Sequence, residues 1–160
     1  MLQPSPSTRT GKNVFPGGLE RDWTPVLTFV TPGDLSVSYL ANFGRYVRQG
    51  SLISGFMLLQ TTSFTHTTAS LDLLITGLPY PVRKIPGVVR SFGGGSFTWA
   101  GITKANYTQL NPAFIPDQTY LSFNMSGSAQ AFSDVVAADV PTAGTVTLIG
   151  SFQYIATDKT

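Results

Sequence analysis

The chain has no cysteine, one histidine (His66) and, among its eight acids, a single glutamate (Glu20). The missing cysteines exclude disulfides and thiolate metal sites, so stability has to come from packing or from association. One histidine and one glutamate leave little material for proton transfer. A Ser-His-Asp arrangement would need His66 to meet a distant acid such as Asp72, and a glycosidase would need two well-placed carboxylates. His66 is therefore read as a satisfied or surface residue, with stacking against its own copies at a symmetry axis as the minor alternative. Charge is scarce too: 11% of residues are charged, against about 25% in ordinary soluble proteins. The ten Lys and Arg are scattered singly from Arg9 to Lys159, with no run that would neutralise successive phosphates, so no nucleic-acid partner is expected. No apolar run reaches the about 18 residues that a membrane span needs, and the N-terminal residues lack the apolar core of a secretory signal. Neither membrane insertion nor secretion is expected.

What the chain does have is uncharged polarity and grease. Its 160 residues are 42% hydrophobic, enough for one domain with a core and too few for two comfortable ones. Thr, Ser, Asn and Gln cover the rest, and such a surface costs little to desolvate against a neighbour. Residues 1–24 are rich in Pro, Ser, Thr and Gly and show no periodicity, which marks an extended arm. Phe15 and Leu19 flank a Pro-Gly-Gly turn, and Trp23 is followed by Thr24 and Pro25. These apolar groups, with Arg21, are the expected contacts of an arm that docks on a partner. Residues 25–157 then form the domain and residues 158–160 a short tail.

Within the domain, short apolar and β-branched bursts alternate with turn chemistry. Strands are expected at 26–30, 35–40, 45–48, 52–61, 71–76, 88–92, 97–99, 107–110, 120–124 and 145–155. Gly44 is expected to break the chain between two of them, and Gly50-Ser51 to make a hairpin turn. Gly93-Gly94-Gly95 reads as a flexible hairpin tip, Asn111-Pro112 as a turn, and residues 129–138 as the one weak helical candidate. Many antiparallel strands with no crossover helix predict an all-β, double-sheet jelly-roll sandwich with an extended N-terminal arm.

Candidate sites are few. Asp134 and Asp139, with Asp117, are a conceivable oxygen-ligand set for calcium, but the spacing of a calcium loop is missing and turn capping is the stronger reading. The glycine run lacks the Gly-Lys-Ser/Thr of a phosphate loop. Aromatic residues make up 12%; core or intersubunit packing outweighs a sugar-stacking platform, for which Trp99 and Tyr107 would be the residues. No cofactor and no catalytic residue is assigned.

Several short segments, in this order, carry a resemblance: Trp23-Thr24-Pro25, Gly44-Arg45-Tyr46, residues 64–70 (FTHTTAS), residues 75–80 (ITGLPY), residues 99–102 (WAGI), and Ser133-Asp134 leading to Asp139. Together they resemble a β-sandwich module of tailed-bacteriophage virion proteins, found among head decoration or cement proteins and tail-fibre tips. The resemblance implies a non-enzymatic protein of the virion surface, assembled in the bacterial cytoplasm. It implies a homotrimer, with a dimer as the alternative, bound to the major capsid protein or to a tail-fibre base. Arg45, Tyr46, His66, Trp99 and Tyr107 are the expected oligomer or recognition face. Only a short arm precedes the sandwich here, without the shaft typical of fibres, so a capsid decoration protein is the first expectation. A carbohydrate-recognising tail tip is the alternative.

Overall fold

Period-two alternation becomes strand pairing along most of the chain, in a computed structural model that describes residues 20–90 and 93–157. The strands are β1 (Glu20–Trp23), β2 (Val26–Thr31), β3 (Ser36–Gln49), β4 (Leu52–Thr65), β5 (Ser70–Thr76) and β6 (Gly93–Ala100). They continue with β7 (Gln109–Phe114), β8 (Tyr120–Gly127), β9 (Gln130–Asp134), β10 (Ala143–Gly144) and β11 (Thr147–Ile155). One sheet has the order β1-β3-β4-β11-β6, with β10 added on β4; the other has the order β2-β5-β8-β7, with β9 added on β8. All pairings are antiparallel. The two sheets pack face to face, which bears out the expected all-β sandwich.

The core lies between the sheets. Trp23, Tyr46, Ile53, Met57, Leu59, Phe97, Leu148, Phe152 and Tyr154 come from the first sheet, and Leu27, Phe29, Leu73, Ile75, Phe114, Leu121 and Phe123 from the second. Their rings interlock: Trp23 meets Phe152 edge-on at 5.7 Å, Phe97 meets Phe123 at 5.3 Å, and Phe114 stacks on Tyr154 at 5.1 Å. Each such side chain contributes about 1.5–3 kcal/mol by burial, which suits a chain without disulfides.

Several local expectations need correction. Residues 35–40 and 45–48 belong to one 14-residue strand, β3, and Gly44 does not break it. Gly44 is there because the Trp23 indole lies on its Cα: a Cβ would sit 2.1 Å from the ring nitrogen. Gly93-Gly94-Gly95 is not a hairpin tip but the start of β6, paired with Phe152, Gln153 and Tyr154. A Cβ on Gly93 would strike the Phe114 ring at 2.2 Å, and one on Gly95 would strike the Ser151 carbonyl at 2.3 Å. Asn111 and Pro112 lie inside β7, opposite Asn124 and Phe123. A proline is tolerated there because β7 ends its sheet, so the missing N–H need not break a ladder. Residues 88–90 form no strand, with 89–90 in a bend, and the rest of that expected strand, residues 91–92, falls outside the described residues. The helical candidate at 129–138 resolves into β9 and a single 3-10 turn at Ala137–Asp139. The Gly50-Ser51 turn is as expected, with Gly50 at φ +59°.

The boundary of the arm also moves. Glu20–Trp23 pairs with Val47–Gly44 as the edge strand of the first sheet, so the folded domain begins before residue 25. Phe15, Leu19 and the tail residues 158–160 lie outside the described residues.

Candidate functional site

The outward side of the first sheet follows directly from its register. Phe43 pairs with Leu58, which pairs with Ile149, which pairs with Thr98. The next row runs Arg45, Phe56, Ser151, Ser96, and the one after it Val47, Ser54, Gln153, Gly94. Arg45 is the one ionisable side chain in these rows. Phe56 and Ile149 are 42% and 43% exposed, and Phe43 packs edge-on against Phe56 at 5.8 Å. A groove of about 310 Å³ runs across this side, lined by Glu20, Arg45, Val47, Phe56 and Ser151 among others. At its rim, Arg45 donates to Asp22 at 3.0 Å and to Glu20 at 3.3 Å while its guanidinium covers the Phe43 ring at 5.4 Å. Such exposed pairs contribute little stability; their effect is to gather the charge of this side at the β1 edge.

The opposite side of β1 and β3 has a different chemistry. Arg21 pairs with Tyr46, and Arg48 follows on the same side of β3. With Gly50 and Tyr80 they line a polar cleft of about 280 Å³. Burial raises the Tyr46 phenol above its ordinary value, the neighbouring Tyr80 hydroxyl adds to this, and Arg21 opposes it. Tyr154 donates to the Tyr80 carbonyl at 2.9 Å, and burial holds its phenol well above the usual range.

The acids named as calcium candidates are committed to cations. Arg90 reaches both oxygens of Asp134 at 2.8 Å, Lys104 pairs with Asp139 at 2.8 Å, and Lys84 pairs with Asp117 at 3.3 Å. Asp139 also accepts from the Val136 backbone N–H at 2.9 Å, the capping role expected of an aspartate at a turn. Among the described residues no group of His, Asp or Glu could hold a metal. Asp72, which faces Asp134 and Arg90, is raised chiefly by burial and then by the Asp134 charge.

The residues expected to form one recognition face are separated. Arg45 is exposed on the outward side, whereas Tyr46, next along β3, points inward. His66 is 4% exposed and sits between the rings of Phe29 and Phe64, at 5.0 and 5.5 Å, with Nε2 lacking a hydrogen-bond partner. It cannot stack against other copies, because the apolar surroundings of Phe64 carry it into the core. Trp23, expected in a partner's pocket, is 7% exposed and belongs to this chain's own core. Arg21 is exposed, but on β1 instead of a free arm. Trp99 and Tyr107 are half-buried against the core, with the Tyr107 hydroxyl donating to the Ala131 carbonyl at 3.1 Å. Trp99 lines a cleft between β6 and β7 with Thr108 and Asn111. Sequence reasoning missed the Arg21–Arg48 cleft and the Phe43–Phe56–Ile149 patch. The signal for the patch was present as apolar residues at outward positions of strands; the cleft needed the β1–β3 register.

Compared with known proteins, the chain matches no family model, and no curated protein or solved structure gives a significant match.

Proposed function

We propose that the protein is a non-enzymatic structural component of a bacteriophage virion, a decoration or cement protein that binds the assembled head as a homo-oligomer. The observation that carries this reading is the outward side of the first sheet, where three rows across β3, β4, β11 and β6 hold one ionisable side chain and adjacent exposed Phe43, Phe56 and Ile149. Contiguous exposed apolar surface of this kind marks an interaction site, and interface cores are depleted in charge. The occupant we assign to it is a second copy of the chain, with a trimer as the first expectation. Phe15 and Leu19, in the segment that leads into Glu20, then serve the capsid subunits. Several such segments from one oligomer act together, so weak individual contacts are multiplied by effective concentration.

The test separates arm from domain. Because β1 begins at Glu20, a truncation that spares the fold must stop at residue 18. That variant is expected to keep its far-UV circular dichroism and its oligomeric state while losing binding to assembled shells in co-sedimentation. Undiminished decoration by the truncated protein would refute the role of the segment. Electron microscopy of the native particle places the chain on head or tail; a tail location would replace the cement reading with that of a carbohydrate-recognising tip.

A further inference from the structure

Strand alternation sorts the charges of β1 onto two sides. Glu20 and Asp22 face outward to Arg45, while Arg21 faces the other way, opposite Tyr46. Arg48 lies two residues beyond Tyr46 on the same strand side, and the two arginines converge on the cleft completed by Gly50 and Tyr80. Neither is left to wander. Arg48 Nε donates to the Gly50 carbonyl at 2.7 Å, and its guanidinium lies 4.3 Å from the centre of the Tyr80 ring. Arg21, paired across the strands with Tyr46, is the positive charge that opposes the upward shift of the Tyr46 phenol. The Tyr46 and Tyr80 rings meet edge-on at 6.0 Å, and Tyr80 is tied through its carbonyl to Tyr154 in the core.

Among the described residues, the acids that could neutralise these guanidiniums are engaged elsewhere, Asp72 facing Asp134 and Arg90. Glu20 and Asp22 serve Arg45, Asp117 serves Lys84, Asp134 serves Arg90, and Asp139 serves Lys104. Asp34 is held by Thr67 and Thr68. Among the described residues, Arg21 and Arg48 have no carboxylate partner. In a chain with so few charges, two guanidiniums that have no carboxylate partner among the described residues and are held over a tyrosine-walled cleft are a specific arrangement. Each still has fork N–H donors to offer, and a planar fork suits the paired oxygens of a phosphate or carboxylate.

We propose that the cleft formed by Arg21, Tyr46, Arg48 and Tyr80 binds an oxyanionic group, a phosphate or carboxylate, through the two guanidiniums. The site does not depend on the assembly reading, since it lies on the other side of the sheet from the apolar patch. The test uses the full chain, titrated with inorganic phosphate and, separately, with glucuronate. Chloride at matched ionic strength is the reference, and binding is followed by calorimetry and by the rise in melting temperature. Saturable binding of at least one of the two, above chloride, is the expected result, and the one that binds identifies the source of the oxyanion. Arg48→Gln should weaken it by about tenfold or more, as expected for the loss of charge-assisted hydrogen bonds. Arg21→Gln, at an exposed position whose loss leaves the core intact, should do the same and gives a second readout should Arg48→Gln fail to fold. Lys84→Gln removes a charge elsewhere and should leave binding unchanged. No binding above chloride, full binding by both arginine variants, or equal weakening by Lys84→Gln would each overturn the site.

Discussion

Single residues in this protein act mostly by joining segments that are distant in sequence. Asp34, in the turn after β2, accepts from the backbone N–H groups of Thr67 and Thr68 at 2.8 Å each and from both threonine hydroxyls. It thereby staples the β2–β3 turn to the β4–β5 turn. These hydrogen bonds favour the charged form and hold its carboxyl well below the usual carboxylate range. A carboxyl whose folded value lies below its unfolded value of about 4 lends stability that is present above that value and is lost as the pH falls below it. Asp34→Ala is therefore expected to lower the melting temperature near neutral pH, with a clearly smaller gap to wild type at about pH 2. Melting curves at both pH values check this; an equal gap at both would show that the carboxylate charge is not what the site uses. The partner threonines at 67 and 68 read in the sequence only as part of a Thr-rich stretch. Their role was invisible because the pairing spans 33 and 34 residues.

At the scale of the element, β1 is the piece that sequence reading assigned to the wrong category. Four residues with two acids and an arginine show no apolar alternation, and only Trp23 among them is buried. The strand exists because Trp23 fills the space over Gly44 and packs on Phe152, a reciprocal fit of large and absent side chains that no periodicity reports. Trp23→Ala should cost about 3–5 kcal/mol, the range for removing a large aromatic from a core. Gly44→Ala should cost about 1–3 kcal/mol, because its new methyl displaces the indole. Chemical denaturation measures both. In the double variant Trp23→Ala, Gly44→Ala, the cost of the alanine at 44 should largely vanish, since the ring it strikes is gone; strict additivity would contradict the fit. The long strands β4 and β11 were legible from their apolar and β-branched runs. The glycine run and Pro112 were misread for one reason: turn chemistry also serves where two sheets approach closely, and spacing alone does not tell these uses apart.

Considered as a whole, the molecule separates its chemistry by surface. The core takes most of the aromatics, the Arg90–Asp134 and Lys104–Asp139 pairs cluster around β9 and the 3-10 turn, and the outward side of the first sheet keeps its charge at the β1 edge, where Glu20 and Asp22 meet Arg45. An uncharged association face was expected from the scarcity of charge in the sequence, but the residues nominated for it do not share one side. Of Arg45, Tyr46, His66, Trp99 and Tyr107, only Arg45 stands in the outward rows, because a one-residue step along a strand changes sides and a distance of a few residues changes layers. This side is the one proposed to bring copies of the chain together. The most direct measurement is sedimentation velocity of the full chain beside the variant Phe56→Glu, Ile149→Glu, which puts two charges on the patch without touching the core. The wild type is expected to sediment as one discrete oligomer and the variant as a monomer that keeps its far-UV circular dichroism and melts cooperatively, at a lower temperature by the lost association. A wild type that stays monomeric at every concentration, or a variant that keeps the same oligomer, would contradict the account.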